Sequence, residues 1–316
     1  MQLRPQEPPD SSLGIPLDPS RPFPNFELRP DVIQQRGVSV GLLVHIYLQV
    51  IAEYWMEQGV QTIQMIDFIP SESFERLGMM ISPRFPLVPF FSSWSLPWGI
   101  IQAMDETVQA GDEETYRRDL TRYEMLKRNP PHEVVGAFTV TIDPAASNAN
   151  PIGLDESSVA LKPVPLNATD GTNPTRTLSN DMSFDSDWTG VRMSIKDVLF
   201  VVKDMSKEMW IHVAREALRQ IPPPITLQRD PSDRNSAWIT LQVLDIGPDT
   251  EALNYIDLAD ALRRILANHV VTDRFESMRH FLIDSAGTRV ARFEYSKGRP
   301  RATVETNEDT PAITSF

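Results

Sequence analysis

Three sets of side chains have residue types and spacings that could do chemistry. His45 and Glu53 lie eight positions apart, two turns of one helix, pairing a proton-moving imidazole with a carboxylate. With Trp94 and Trp98 as apolar walls, they would suit a hydrolase or isomerase acting on a small apolar molecule; the alternative is one wet edge of a core helix. Glu208, His212 and Glu216 recur at every fourth residue, which places two carboxylates and an imidazole on one helix face where a divalent metal could sit. The opposite face carries Met209 and Val213, so the triplet reads first as a solvated stripe, and neither a metal nor any other cofactor is expected. Phe85, Phe90, Phe91, Trp94 and Trp98 crowd a short stretch punctuated by Pro86, Pro89 and Pro97. So many rings imply a binding groove, a membrane-surface loop or irregular packing in a core.

Motifs with a known mechanism are missing: there is no phosphate loop, G-x-G-x-x-G, H-E-x-x-H or G-x-S-x-G. Cysteine is absent, which removes thiol nucleophiles, disulfides and cysteine-ligated metals. Ser285, His280 and Asp284 contain the residue types of a hydrolytic triad, but near neighbours along a strand point to opposite faces. His269, at a helix end, reads as a complement to the helix dipole.

The elements that must position these residues are clearest from Ser236 onward. Ile239, Leu241 and Val243 alternate with Thr240 and Gln242, the period of a half-buried strand. Tyr255, Leu258, Ala259, Leu262, Ile265 and Leu266 follow at helical spacing behind Asn254, a natural N-cap. Met278 to Asp284 and Arg289 to Tyr295 form a hairpin whose loop carries Gly287. Upstream, Ser194 to Gln220 reads as a helix and 225–228 as a short strand. In the first half, Ser39 caps a strong helix from Leu42 to Tyr54. Ser71 reads as a helix start, 112–127 as a charged helix with Glu114 and Arg118 paired, and 134–142 as a strand.

These assignments predict an α+β fold: a mainly antiparallel sheet with a helical layer on one face, preceded by a mainly helical aromatic-rich block. The expected divisions are a proline-rich extended arm over 1–30, a mainly helical block with one strand over 31–142, a long polar loop or linker over 143–187, an α+β domain over 188–297 and a tail over 298–316. No internal repeat is visible in the sequence.

A formal charge of -13 over 316 residues, with no basic stripe, argues against a nucleic-acid partner and disfavours an anionic membrane surface. No apolar run reaches the roughly 20 residues a transmembrane helix needs. The first thirty residues show no secretory pattern, so a cytoplasmic location is expected if Met1 is the natural start and a secreted one if a leader was removed.

The run Arg229-Asp230-Pro231-Ser232-Asp233, the strand Ala237 to Leu244, the segment Leu253 to Leu262 and the closing hairpin resemble uncharacterised proteins of filamentous ascomycete fungi. The resemblance spans the C-terminal third. Many proteins of that group are exported, and the resemblance assigns no functional residue. The expectation is therefore a non-catalytic structural or interaction protein, binding a protein partner or a second copy through the aromatic segment, with the small-molecule enzyme as the alternative.

Overall fold

A computed structural model describes residues 26–56, 66–71, 74, 76–84, 95–110, 116–127, 133–142, 183–214, 224–230, 232–233, 235–244, 253, 255–272, 274–284 and 287–298. In chain order the elements are β1 (Phe26–Ser39), α1 (Val40–Met56), β2 (Asp67–Pro70), β3 (Leu77–Pro83), α2 (Ser95–Gln109), β4 (Arg117–Lys127), β5 (Val134–Ile142), β6 (Ser183–Arg192), α3 (Ile195–Ala214), β7 (Ile225–Gln228), β8 (Ala237–Val243), α4 (Tyr255–Thr272), β9 (Glu276–Ile283) and β10 (Arg289–Lys297). The strands make two antiparallel five-stranded sheets, ordered β1-β4-β5-β3-β2 and β6-β9-β10-β8-β7.

Those two orders are one topology used twice. Each half runs strand, helix, two strands, helix, two strands, and equivalent strands occupy equivalent places in their sheets. Main-chain hydrogen bonds repeat as well. Ser71 N to Leu77 O at 2.8 Å closes the β2–β3 connection as Arg229 N to Ala237 O at 2.9 Å closes β7–β8. Arg84 N reaches Val135 O and Leu244 N reaches Val290 O, each at 3.0 Å. Val40 N bonds Tyr116 O at 3.2 Å, and Met193 N bonds Phe275 O at 3.1 Å. The two halves have diverged in side chains while keeping the backbone plan.

In the second half the elements fall where periodicity puts them. Asp257 occupies the first turn of α4, Gly287 takes a φ of +81° in the β9–β10 loop, and Ile239 and Leu241 point into the core. Asn254 lies outside the described residues. Strand β6 starts at Ser183 and so takes in residues 183–187, which the sequence placed in the polar loop.

The first half differs from expectation. Instead of a mainly helical block with one strand, 31–142 contains most of one sheet and two helices. From Arg117 onward, the stretch read as a charged helix is strand β4. Its Leu120, Tyr123 and Met125 are buried, while Arg122 and Glu124 face outward, Glu124 toward Arg29 on β1. Ser71 does accept a hydrogen bond from Phe74 N at 3.1 Å, but the chain enters β3 at Leu77. Helix α2 begins inside the aromatic stretch; Pro97 sits in its first turn, where no amide partner is needed. Residues 1–25, 143–182 and 299–316 lie outside the described residues, and 26–30 form the start of β1.

Helices α1 and α2 lie on one sheet and α3 and α4 on the other, and α1 packs on α3 and α4 while α2 meets α3. The layers are therefore sheet, helices, helices, sheet, around one continuous apolar core. Central α1 is covered on nearly every side, so the wet edge expected of it is absent at His45 and Gln49, both buried. Gln49 Nε2 instead donates to Glu53 Oε1 and to Pro70 O, each at 2.9 Å.

Candidate functional site

Of the residues singled out by spacing, the described ones do not come together in one site. His45 is fully buried, edge-on to Phe74 with ring centroids 4.9 Å apart, and neither ring nitrogen has a hydrogen-bond partner among the described residues. Burial, reinforced by the Arg263 charge, lowers its pKa to about 3, so it stays neutral. Glu53 is half-buried, two turns away and bonded to Gln49. Trp98 is buried within α2; Phe85, Phe90, Phe91 and Trp94 lie outside the described residues. Glu208 is half-buried on α3, while Glu216 and the His212 side chain lie outside the described residues. Among the described residues no group of three or more metal-ligating side chains converges, and no helix is long and apolar enough to cross a membrane. A cleft beside Tyr47, Thr107, Arg118, Tyr123 and Val140 is too narrow to admit a water molecule.

A different constellation is present, drawn from four elements of the second half. Ser186 Oγ on β6 lies 2.7 Å from His280 Nδ1 on β9. His280 Nε2 lies 3.1 Å from Tyr295 Oη on β10, which also bonds His269 Nε2 at the end of α4. His269 Nδ1 lies 2.6 Å from the Arg274 carbonyl oxygen. A carbonyl only accepts, so His269 carries its proton on Nδ1 and its Nε2 accepts from Tyr295. The Tyr295 oxygen then receives the His280 Nε2 proton, and His280 Nδ1 is left with a lone pair aimed at the Ser186 hydroxyl. One main-chain carbonyl thus orients every donor in the chain.

Burial keeps all of these groups uncharged. It lowers the pKa of His280 to about 3, assisted by neighbouring His269, and lowers that of His269 against the opposing hydrogen bond to Arg274. It raises that of Tyr295 well above the usual phenol value. Around His269, Phe275 stacks at 5.8 Å and Trp188 stands edge-on at 5.4 Å, itself covered by the Arg274 guanidinium at 4.1 Å. His269 is therefore a core hydrogen-bonding group, not an exposed complement to the helix dipole. The signal for this network lies in strand phase: His280 alternates in step with Met278 and Leu282, so it belongs to the core face.

Two ionic clusters join elements elsewhere. Lys203 on α3 reaches Asp105 on α2 at 2.6 Å and Asp204 at 2.8 Å, with Lys207 also 2.6 Å from Asp105. Asp197, in the first turn of α3, receives Ser194 Oγ at 2.7 Å, Arg229 at 2.6 Å and Lys297 at 2.7 Å, tying β7 and β10 to that helix start.

No family model matches the chain, and no curated protein matches it. Among solved structures, the tandem DUF26 ectodomain of the Arabidopsis thaliana cysteine-rich receptor-like protein PDLP8 aligns over 85% of this chain and 100% of that one, at 8% identity and a TM-score of 0.22. A likeness of that size carries no argument about fold or function.

Proposed function

We propose that this chain is a structural or interaction protein that associates with a second copy or another protein through the exposed start of β2 and the aromatic segment 85–94 that follows β3 in the sequence. The observation that carries the reading is Ile66, which is 71% exposed. It precedes Asp67, which pairs with Ile81, so the register sets it level with Ser82, beside the end of β3 from which that stretch departs. An aliphatic side chain left in water just ahead of an edge strand, together with a sequence run containing Phe85, Phe90, Phe91 and Trp94, is the composition of an interface core. The other large hydrophobics exposed among the described residues, Val32, Ile33 and Val191, lie on edge strands, where main-chain donors and acceptors are open to pairing.

Sedimentation over a range of protein concentrations tests the reading. Wild type should associate, and Ile66→Asp or Phe91→Asp should shift it toward monomer with unchanged thermal midpoint. A chain that stays monomeric at high concentration, and retains no protein partner in a pull-down that either substitution abolishes, overturns it.

A further inference from the structure

We propose that Ser186 is a nucleophile with His280 as its general base, at a site for activated esters bearing a short apolar acyl group. The inference is independent of association through the β2 edge.

Its first support is direction. The donor order set by the Arg274 carbonyl leaves His280 Nδ1 as an acceptor 2.7 Å from Ser186 Oγ, the arrangement a base needs to take a hydroxyl proton. Tyr295 and His269 are positioning residues: they fix the tautomer and offer a path by which the proton can shift onward.

The second support comes from the other half of the molecule. Phe138 on β5 faces Ile81 and Tyr123, as Phe293 on β10 faces Leu241 and His280. By the same register Tyr295 corresponds to Val140, opposite Met79 as Tyr295 is opposite Ile239, and Ser186 corresponds to Pro30. That half closes the same sheet with a proline, a tyrosine and a valine. The scaffold therefore does not need an imidazole or a serine at these places, and a buried polar chain that the fold can do without points to a role beyond folding.

The third is access. Ser186 lies on an edge strand and is half-buried, between Phe184 and Trp188 on the same face of β6. Those two half-buried rings are the apolar surface beside Ser186 that a short acyl chain would meet. An edge strand also turns alternate backbone N–H groups away from its partner, the donor type an oxyanion requires.

In the proposed step the Ser186 Oγ–acyl carbon bond forms, the Ser186 proton passes to His280 Nδ1, and the ester's alkoxide leaves, taking that proton. Water then cleaves the acyl-serine with the same base, releasing the acid and restoring the hydroxyl.

A fluorophosphonate probe tests this on the full chain. Oγ attacks phosphorus, fluoride departs, and peptide mass spectrometry locates the adduct. The expected result is one adduct, on Ser186, absent from Ser186→Ala and formed at least about tenfold more slowly in His280→Gln and Tyr295→Phe. Tyr295→Phe removes one oxygen, so it serves if His280→Gln fails to fold. Since His280 faces only Ser186, Tyr295 and His269 among ionisable or hydroxyl groups bonded or stacked to it, and holds its lone pair down to about pH 3, labelling should be flat from about pH 5 to 8. Absence of an adduct at Ser186 in folded wild type, or an unchanged rate in whichever of the two slowed variants folds, overturns the proposal.

Discussion

Lys203 Nζ and Asp105 Oδ1 meet at 2.6 Å where the helices of the two halves touch, with the Lys203 side chain only 2% exposed. Burial alone would raise the Asp105 carboxyl pKa, but the ammonium groups of Lys203 and Lys207 outweigh it and hold it below the usual range. Removing the Asp105 carboxylate leaves the buried cation with Asp204 as its remaining charge partner among the described residues, whereas removing the cation leaves carboxylates that water still reaches. Asp105→Asn should therefore cost about 3 kcal/mol and Lys203→Met only about 1 kcal/mol. Urea unfolding with an unchanged m-value gives the order, and the reverse order would show that Asp204 alone satisfies the lysine.

His45 offers a pH test. Its folded pKa of about 3 lies below the ordinary 6.5, so the unfolded chain binds the proton more readily. The stability gained from neutral His45 is present above about pH 6.5 and is lost toward pH 3, with a limiting slope of about 1.4 kcal/mol per unit. His45→Leu removes both this slope and two buried nitrogens without partners, so it should stabilise by about 1 kcal/mol at pH 7 and by more at pH 5. Denaturant midpoints at the two pH values measure the difference.

Gly41, in the first turn of α1, packs tightly against α4: a Cβ there would lie 2.6 Å from Val270 Cγ2. Gly41→Ala should cost about 2 kcal/mol despite alanine's better helix propensity. Val270→Ala in the same chain should recover most of that loss, and a double-mutant cycle reads the coupling directly.

Asp197 holds three partners at the start of α3. Burial pushes its carboxyl upward, but hydrogen bonds from Lys297, Ser194 and Arg229 together bring it below the ordinary value. The associated stability is present above the ordinary carboxylate pKa and is lost as pH falls through the depressed folded one. Asp197→Asn should cost about 2 kcal/mol at neutral pH and flatten the acid limb of the stability curve, both measurable by thermal melts between pH 2 and 7.

Much of the second half was legible because its signals are local. Alternation in 239–243, helical spacing in 255–266 and a glycine in the hairpin loop each report one element without help from distant residues. The first half hid its sheet for an equally physical reason. Interior strand β4 carries Arg118, paired with Glu106 on α2, and outward-facing Arg122 and Glu124, the latter paired with Arg29 on β1, and such charges read as an exposed helix when Glu106 and Arg29 are unknown. The proline and glycine in the first turns of α2 disguised it as a loop. Repetition went unseen because what repeats is main-chain pairing, not residue identity. The serine, tyrosine and histidines of the hydrogen-bonded chain come from four elements, with Ser186 and His280 94 positions apart, a juxtaposition only pairing between strands creates.

The polypeptide crosses from the first sheet to the second once, between β5 and β6. Cutting there would leave two fragments, each holding all five strands and both helices of its own sheet, with the shared helical core as their meeting surface. Such a pair should behave as an obligate heterodimer whose melting temperature rises with concentration, since the tether that now supplies the second half at high effective concentration would be gone. The intact chain is, in this sense, a dimer that has been made covalent.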